Sequence, residues 1–243
     1  MSAFTTAQFR SAFEHGEMEL KGQFMLGSNH TFLVIVHHEG LEFPAVYKPT
    51  RGEQPLWDFP SNTLARREVA AYLVSEALGW SFVPFTALME KGPHGPGSIQ
   101  QFIEYDPNYH YFSFSHSDKD RLPPVALFDL LVNNADRKGS HVLIEQGTDK
   151  LWLIDHGLCF HEEDKLRTVI WDFAGQPIPE ELLEPLAALC TLISGTSSLR
   201  TDLARYLGPN EITALSTRAQ ALIAAAVFPQ PPADRRAFPY PPV

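Results

Sequence analysis

Residues 133–157 read NNADRKGSHVLIEQGTDKLWLIDHG. Two short apolar runs, His141–Ile144 and Leu151–Ile154, lie between Asp136 and Asp155. Two aspartates flanking a hairpin suit phosphoryl transfer from a nucleotide. There the protein does little covalent work. It supplies a cradle for the phosphates, a cation, a bound metal and a carboxylate near the acceptor hydroxyl. The sequence holds a candidate for each part. The turn Gly27-Ser28-Asn29 can present backbone N–H groups to phosphate oxygens. Lys48 offers a point charge, and Glu68, twenty residues on, can pair with it and hold it. Asp136 sits where a helix gives way to a loop, a suitable place for the carboxylate that faces the acceptor. Asp155 can hold magnesium, which prefers oxygen ligands.

The positioning elements follow from periodicity. Residues 17–26, 31–38 and 43–48 read as three strands, separated by turn signals at Gly27-Ser28-Asn29 and His38-Glu39-Gly40. A helix is expected from about Thr63 to Leu78, with Asn62 as N-cap, Gly79 as C′ stop, and one buried face through Val69, Tyr72, Leu73 and Ala77. FTALME and SIQQFIE read as two further strands joined by the loop Lys91–Gly97. An aromatic and polar connection covers 104–121. Pro123-Pro124 suits the first turn of a helix reaching about Asn134. After the hairpin come helices marked by Leu182, Leu186, Leu189 and Ile193, by Leu199, Leu203 and Leu207, and by Glu211–Val227. The tail from Phe228 carries six prolines and is expected to be extended and solvated. The expected fold is α+β with two lobes, a β-rich N-terminal lobe (1–103) and a helical C-terminal lobe (104–228), in one domain over 1–243 that ends in a proline-rich tail (229–243).

At these residues the chain resembles the phosphatidylinositol 3-/4-kinase-like superfamily of atypical protein-kinase-like folds, through VYKP (Lys48), REVAAY (Glu68), ADRKGSH (Asp136, Arg137) and LIDHG (Asp155, Gly157). DRKGSHVL looks like a small group of actinobacterial proteins within it. The likeness covers roughly residues 18–170. It implies a kinase-like fold with ATP between the lobes and magnesium as the metal, manganese being an alternative. It implies Asp136, Lys48 and Glu68 as catalytic, Asp155 and the residue five beyond Asp136 as metal ligands, and Gly27, Ser28, Asn29, Lys48, Phe102 and Ile103 as nucleotide-binding. Phe102 and Ile103 follow the fifth strand, where such folds connect their lobes. Position 141 departs from the pattern: His141 replaces an asparagine, and an imidazole suits manganese or zinc better than magnesium. Plainer readings stay open: Lys48 as a solvated strand residue, Asp136 as a helix terminator, the IDHG stretch as a tight turn, His141 as a structural histidine, and Phe102-Ile103 as a buried strand end.

The bulk properties narrow the setting. A formal net charge of −10 argues against a nucleic-acid partner and against stable adhesion to an anionic membrane. Two isolated cysteines suggest a reducing compartment, and with no signal-peptide pattern at the N-terminus the expected location is cytoplasmic. The acidic run His161–Asp164 argues against an anionic lipid acceptor. The reading is transfer of the γ-phosphoryl of ATP to an unidentified hydroxyl, on a small molecule or a protein, with the oligomeric state open. Its rivals are a pseudokinase that binds nucleotide without turnover, a nucleotidyl (AMP) transferase on the same fold, and a metal-dependent hydrolase built from Asp136, His141 and Asp155. The last would leave Lys48 and Glu68 without a role.

Overall fold

The computed structural model describes residues 4–24, 30–54 and 56–243, so the Gly27-Ser28-Asn29 turn lies outside the described residues. It begins with a helix that the hydrophobic pattern did not announce, α1 (Thr6–His15). A capping box starts it: Gln8 N donates to Thr5 Oγ1 at 3.3 Å, and Thr5 N donates to Gln8 Oε1 at 2.8 Å. Phe9, Ala12 and Phe13 form its buried stripe, with Phe9 against Phe43 and Phe13 against Phe85.

Strands β1 (Glu17–Phe24), β2 (Thr31–His38), β3 (Leu41–Pro49), β4 (Thr86–Gly92) and β5 (Gly95–Gln101) form an antiparallel sheet in the order β1-β2-β3-β5-β4. The expected loop Lys91–Gly97 is mostly strand, because β4 and β5 run on to a tip at Pro93-His94. In β3 the residues Phe43, Ala45 and Tyr47 are buried in alternation, which turns Lys48 to the opposite face.

Helix α2 (Leu64–Ala77) follows. Its N-cap is Thr63 rather than Asn62, whose φ of 62° places it before the helix. The Glu53 carboxylate accepts from the N–H groups of Leu64 (3.4 Å) and Ala65 (3.1 Å), so a side chain from a distant turn satisfies the helix start. Gly79 takes the left-handed conformation at C′ (φ +70°). Burial of α2 is not confined to one face. It extends to Arg67, Glu68 and Ser75 as well as to the apolar residues, because the helix is enclosed between the sheet and the second half of the chain.

That half contains α3 (His116–Lys119), α4 (Pro123–Val132), the hairpin β6 (Val142–Ile144) and β7 (Leu151–Leu153), and then α5 (Glu180–Ser194), α6 (Ser198–Leu203) and α7 (Pro209–Ala225). Its contacts with the sheet half include Leu153 N to Phe82 O at 2.8 Å and Arg67, which reaches Cys159 O at 2.5 Å and pairs with Glu211 of α7. The proline-rich tail is non-helical, but much of it is docked rather than solvated. Proline lacks a donor yet keeps its carbonyl. Pro242 O accepts from Gly139 N at 2.8 Å, and Ala237 O accepts from Thr168 N at 3.1 Å and Trp171 Nε1 at 3.2 Å. Arg235 reaches Leu166 O at 2.8 Å. Among the described residues, no helix is long and apolar enough to cross a membrane.

Candidate active site

Lys48, on the non-core face of β3, meets two carboxylates. Its Nζ lies 2.5 Å from Glu68 Oε1 and 3.2 Å from Asp155 Oδ1. Enclosure opposes the ammonium charge, but Asp155 and Glu68 outweigh it and raise the lysine pKa, so it stays protonated. The other oxygen of Glu68 accepts the backbone N–H of His156 at 2.9 Å. Asp155 follows β7 with φ +61°, a left-handed conformation that aspartate tolerates better than most residues. Its side chain keeps 48% of its surface open to water. Enclosure would raise its pKa, yet the cation of Lys48 and the neighbouring His141 pull it well below the usual carboxylate range.

Asp136 stands in the loop after α4. Backbone bonds stitch that loop to the segment beyond Asp155: Ala135 N to Leu158 O (2.9 Å), Arg137 N to Arg167 O (3.0 Å) and Arg167 N to Asn134 O (2.9 Å). Asn134 Oδ1 accepts from Asp136 N at 2.9 Å. Burial raises the Asp136 pKa to about 6, against the opposing pull of Lys138, whose Nζ is 3.6 Å away. A carboxylate near that value can take a proton at neutral pH.

Beneath this loop lies a pair that the spacing argument did not include. Arg137 and Asp129 are both fully buried, with Arg137 Nε 3.0 Å and 3.1 Å from the two Asp129 oxygens. Arg137 also donates to Ile154 O (2.8 Å), His141 O (3.2 Å) and His156 Nε2 (2.8 Å). Asp129 further accepts from Thr168 Oγ1 and Asn134 Nδ2. One signal was present in the sequence: Asp129 is the only charge in the helix PPVALFDLLV, and a buried charge needs a partner.

His141 Nε2 faces Asp155 Oδ2 at 3.4 Å. Burial lowers its pKa to about 4, so the ring is neutral. The N–H of Lys138 points at Nδ1 from 3.5 Å. An accepting Nδ1 puts the ring proton on Nε2, the nitrogen that faces Asp155. Ligation of a metal through Nε2 would need that proton to move. Among the described residues, no group of three His, Cys, Asp or Glu side chains forms a ready metal cage. The open carboxylate of Asp155 is an oxygen donor of the kind that magnesium takes.

The remaining candidates lie apart from this cluster. Phe102 follows β5, and its N–H already donates to Pro44 O at 3.1 Å. Ile103 is buried. The acidic run is turned to other partners: Glu163 pairs with Lys165 at 2.9 Å and Asp164 with Arg235 at 2.6 Å.

Against models of known protein families the chain has no match. It is 38% identical over 256 residues to protein Rv2133c of Mycobacterium tuberculosis, covering 90% of each chain. The chain belongs to the Rv2133c family. Among solved structures, it superimposes on the Helicobacter pylori proinflammatory kinase CtkA with a TM-score of 0.54 and 13% identity, covering 87% of this chain and 93% of that one. It superimposes on hydra Fam20, solved with a sugar, with a TM-score of 0.51 and 13% identity over 89% and 86% of the two chains. These likenesses show the fold: mixed α+β and kinase-like, an N-terminal antiparallel sheet followed by helices.

Proposed function

We propose that this protein is a phosphotransferase of the phosphatidylinositol 3-/4-kinase-like kind, one domain that binds ATP between its two lobes and passes the γ-phosphoryl to a hydroxyl acceptor. The observation that carries the reading is Lys48, held protonated between Glu68 and Asp155. An ammonium anchored by one buried carboxylate and one open carboxylate can meet phosphate oxygens without losing its anchor. Asp155 would hold the magnesium, with His141 Nε2 facing its second oxygen at 3.4 Å. Bound magnesium neutralises charge on the transferring phosphoryl. Asp136, poised near pH 6, accepts the hydroxyl proton, and Arg137 fixes the loop that carries it. By its sequence the turn Gly27-Ser28-Asn29 is the candidate cradle for the phosphates, and Ile103 would offer its backbone to the adenine.

A pseudokinase is the second reading. It is favoured by His141, whose Nε2 carries the ring proton and so offers no lone pair to a metal. Calorimetric titration with ATP in magnesium, beside an assay of ATP consumption, tests both. The expected outcome is that Asp155→Ala keeps the fold and loses magnesium-dependent affinity. Equal affinity in mutant and wild type overturns the site, and tight binding without turnover selects the pseudokinase. Mass spectrometry of the products separates an added phosphoryl from an added adenylyl group.

A further inference from the structure

His156, between Asp155 and Gly157, is fully buried. Its ring Nε2 lies 2.8 Å from Arg137 Nη2. A guanidinium can only donate, so Nε2 must accept. An Nε2 that accepts carries no proton, so the ring is neutral. Its proton is therefore on Nδ1. That Nδ1 has no hydrogen-bond partner, and Glu68 Oε2 stands 3.9 Å away, about an ångström beyond bonding distance. The same Glu68 oxygen already accepts the His156 backbone N–H at 2.9 Å.

We propose that His156 is a positioning residue for Glu68, holding it by the backbone N–H in the free protein and by both N–H groups once α2 closes on the bound nucleotide. This rests on the proposed function for the closing step but not for the tautomer. The residues form one chain, Lys48–Glu68–His156–Arg137–Asp129, that runs from the sheet to the core of the helical half. A small approach of α2 would satisfy the unpaired N–H and set Lys48 at a fixed distance from the loop that carries Asp136. The open hydrogen bond favours the closed state, because an unpaired buried donor is unfavourable.

Two measurements decide it. In protein labelled with ¹⁵N-histidine, the His156 ring without nucleotide should show a protonated Nδ1 and a bare Nε2. With magnesium and a non-hydrolysable ATP analogue, the Nδ1 proton should move downfield as the bond to Glu68 forms. In kinetics of ATP consumption, His156→Phe keeps the ring and its edge contact with Phe128 but removes both ring nitrogens. It should lower kcat by up to about 100-fold with little change in the KM for ATP, the scale set by an ångström of misplacement. His156→Gln, whose amide both accepts and donates, should recover most of the loss. A protonated Nε2, an unmoved Nδ1 proton in the nucleotide complex, or a Gln variant no better than Phe overturns the proposal. If the Phe variant fails to fold, the spectrum and the Gln variant still decide. If the wild type binds no nucleotide, the closing step falls together with the proposed function. The tautomer is read on the free protein in either case.

Discussion

Two ion pairs of the site differ in how they meet water. Arg137–Asp129 is sealed, with both side chains at 0% exposure and every Asp129 oxygen bonded. Lys48–Glu68 is anchored at one end only: Glu68 is 4% exposed, Lys48 is 23% exposed, and the lysine shares a second carboxylate that is open to solvent. The sealed pair cannot exchange partners without exposing a charge to an apolar interior, so it serves as a fixed post for the loop around Asp136. The open pair keeps a solvent-facing partner, Asp155, which a phosphate oxygen would replace in the proposed function. Fixed and exchangeable charge are thus divided between the two lobes, and His156 joins them.

The sharpest way to break this contrast is Arg137→Met. It leaves Asp129 charged and unpaired at zero exposure, and removing one partner of such a pair costs roughly 3–5 kcal/mol. Chemical denaturation should show a loss of that order. Adding Asp129→Leu removes the stranded charge but restores only part of the stability, because the carbonyls of His141 and Ile154 still lack their donor. Full recovery in the double variant would mean that the pair positions nothing.

The contrast also marks what could be read from the sequence. The polar residues beside strands and turns were legible: the structure joins Lys48, Glu68, His141 and Asp155 by contacts, and Asp136 stands near enough to feel the Asp155 charge. Of the sealed pair, Arg137 was legible as a loop-orienting residue beside Asp136, but its partner was not. Asp129 hides in an apolar helix, and its partner lies eight residues away across a loop that spacing does not resolve. His156 looks like a turn residue until its bonds are known. The helix α1 was missed for a local reason. Its apolar stripe is short, Phe9, Ala12 and Phe13 within a polar segment, although the Thr5 and Gln8 capping pair was present. The docked tail was missed because composition reports that prolines cannot join a helix, and says nothing of the N–H groups their carbonyls will meet.

A smaller effect is expected from the open pair, and it sharpens the comparison. Lys48→Ala strands a nearly buried Glu68 and removes the cation from the phosphate site. Glu68→Gln keeps the shape and one bond. Residues that act as a unit couple by about 0.5–3 kcal/mol. A double-mutant cycle on kcat/KM for ATP should find the double variant little worse than Lys48→Ala alone. Strictly additive losses would separate the two residues and remove the main support for the cleft as a phosphate site.

The smallest effect concerns the most exposed of the three pairs, Lys138–Asp136, at 3.6 Å with side chains 18% and 29% exposed. Burial lifts the Asp136 pKa from 3.8 to about 6, and Lys138 resists that lift. As a base, Asp136 works only when ionised, so kcat/KM should rise with pH through about 6 and level off above it. Lys138→Met removes the resisting cation, and the rise should move to higher pH. The sign for stability is the reverse. A carboxyl whose folded pKa lies above its unfolded value contributes stability that is fully present below about 3.8 and is lost as pH rises through about 6. Asp136→Asn escapes that loss. It should melt above the wild type at pH 7, lose its advantage below pH 4, and be inactive throughout. An Asn variant no more stable than the wild type at pH 7 would show that Asp136 ionises without penalty, leaving no reason for its proton affinity to differ from that of an ordinary surface aspartate.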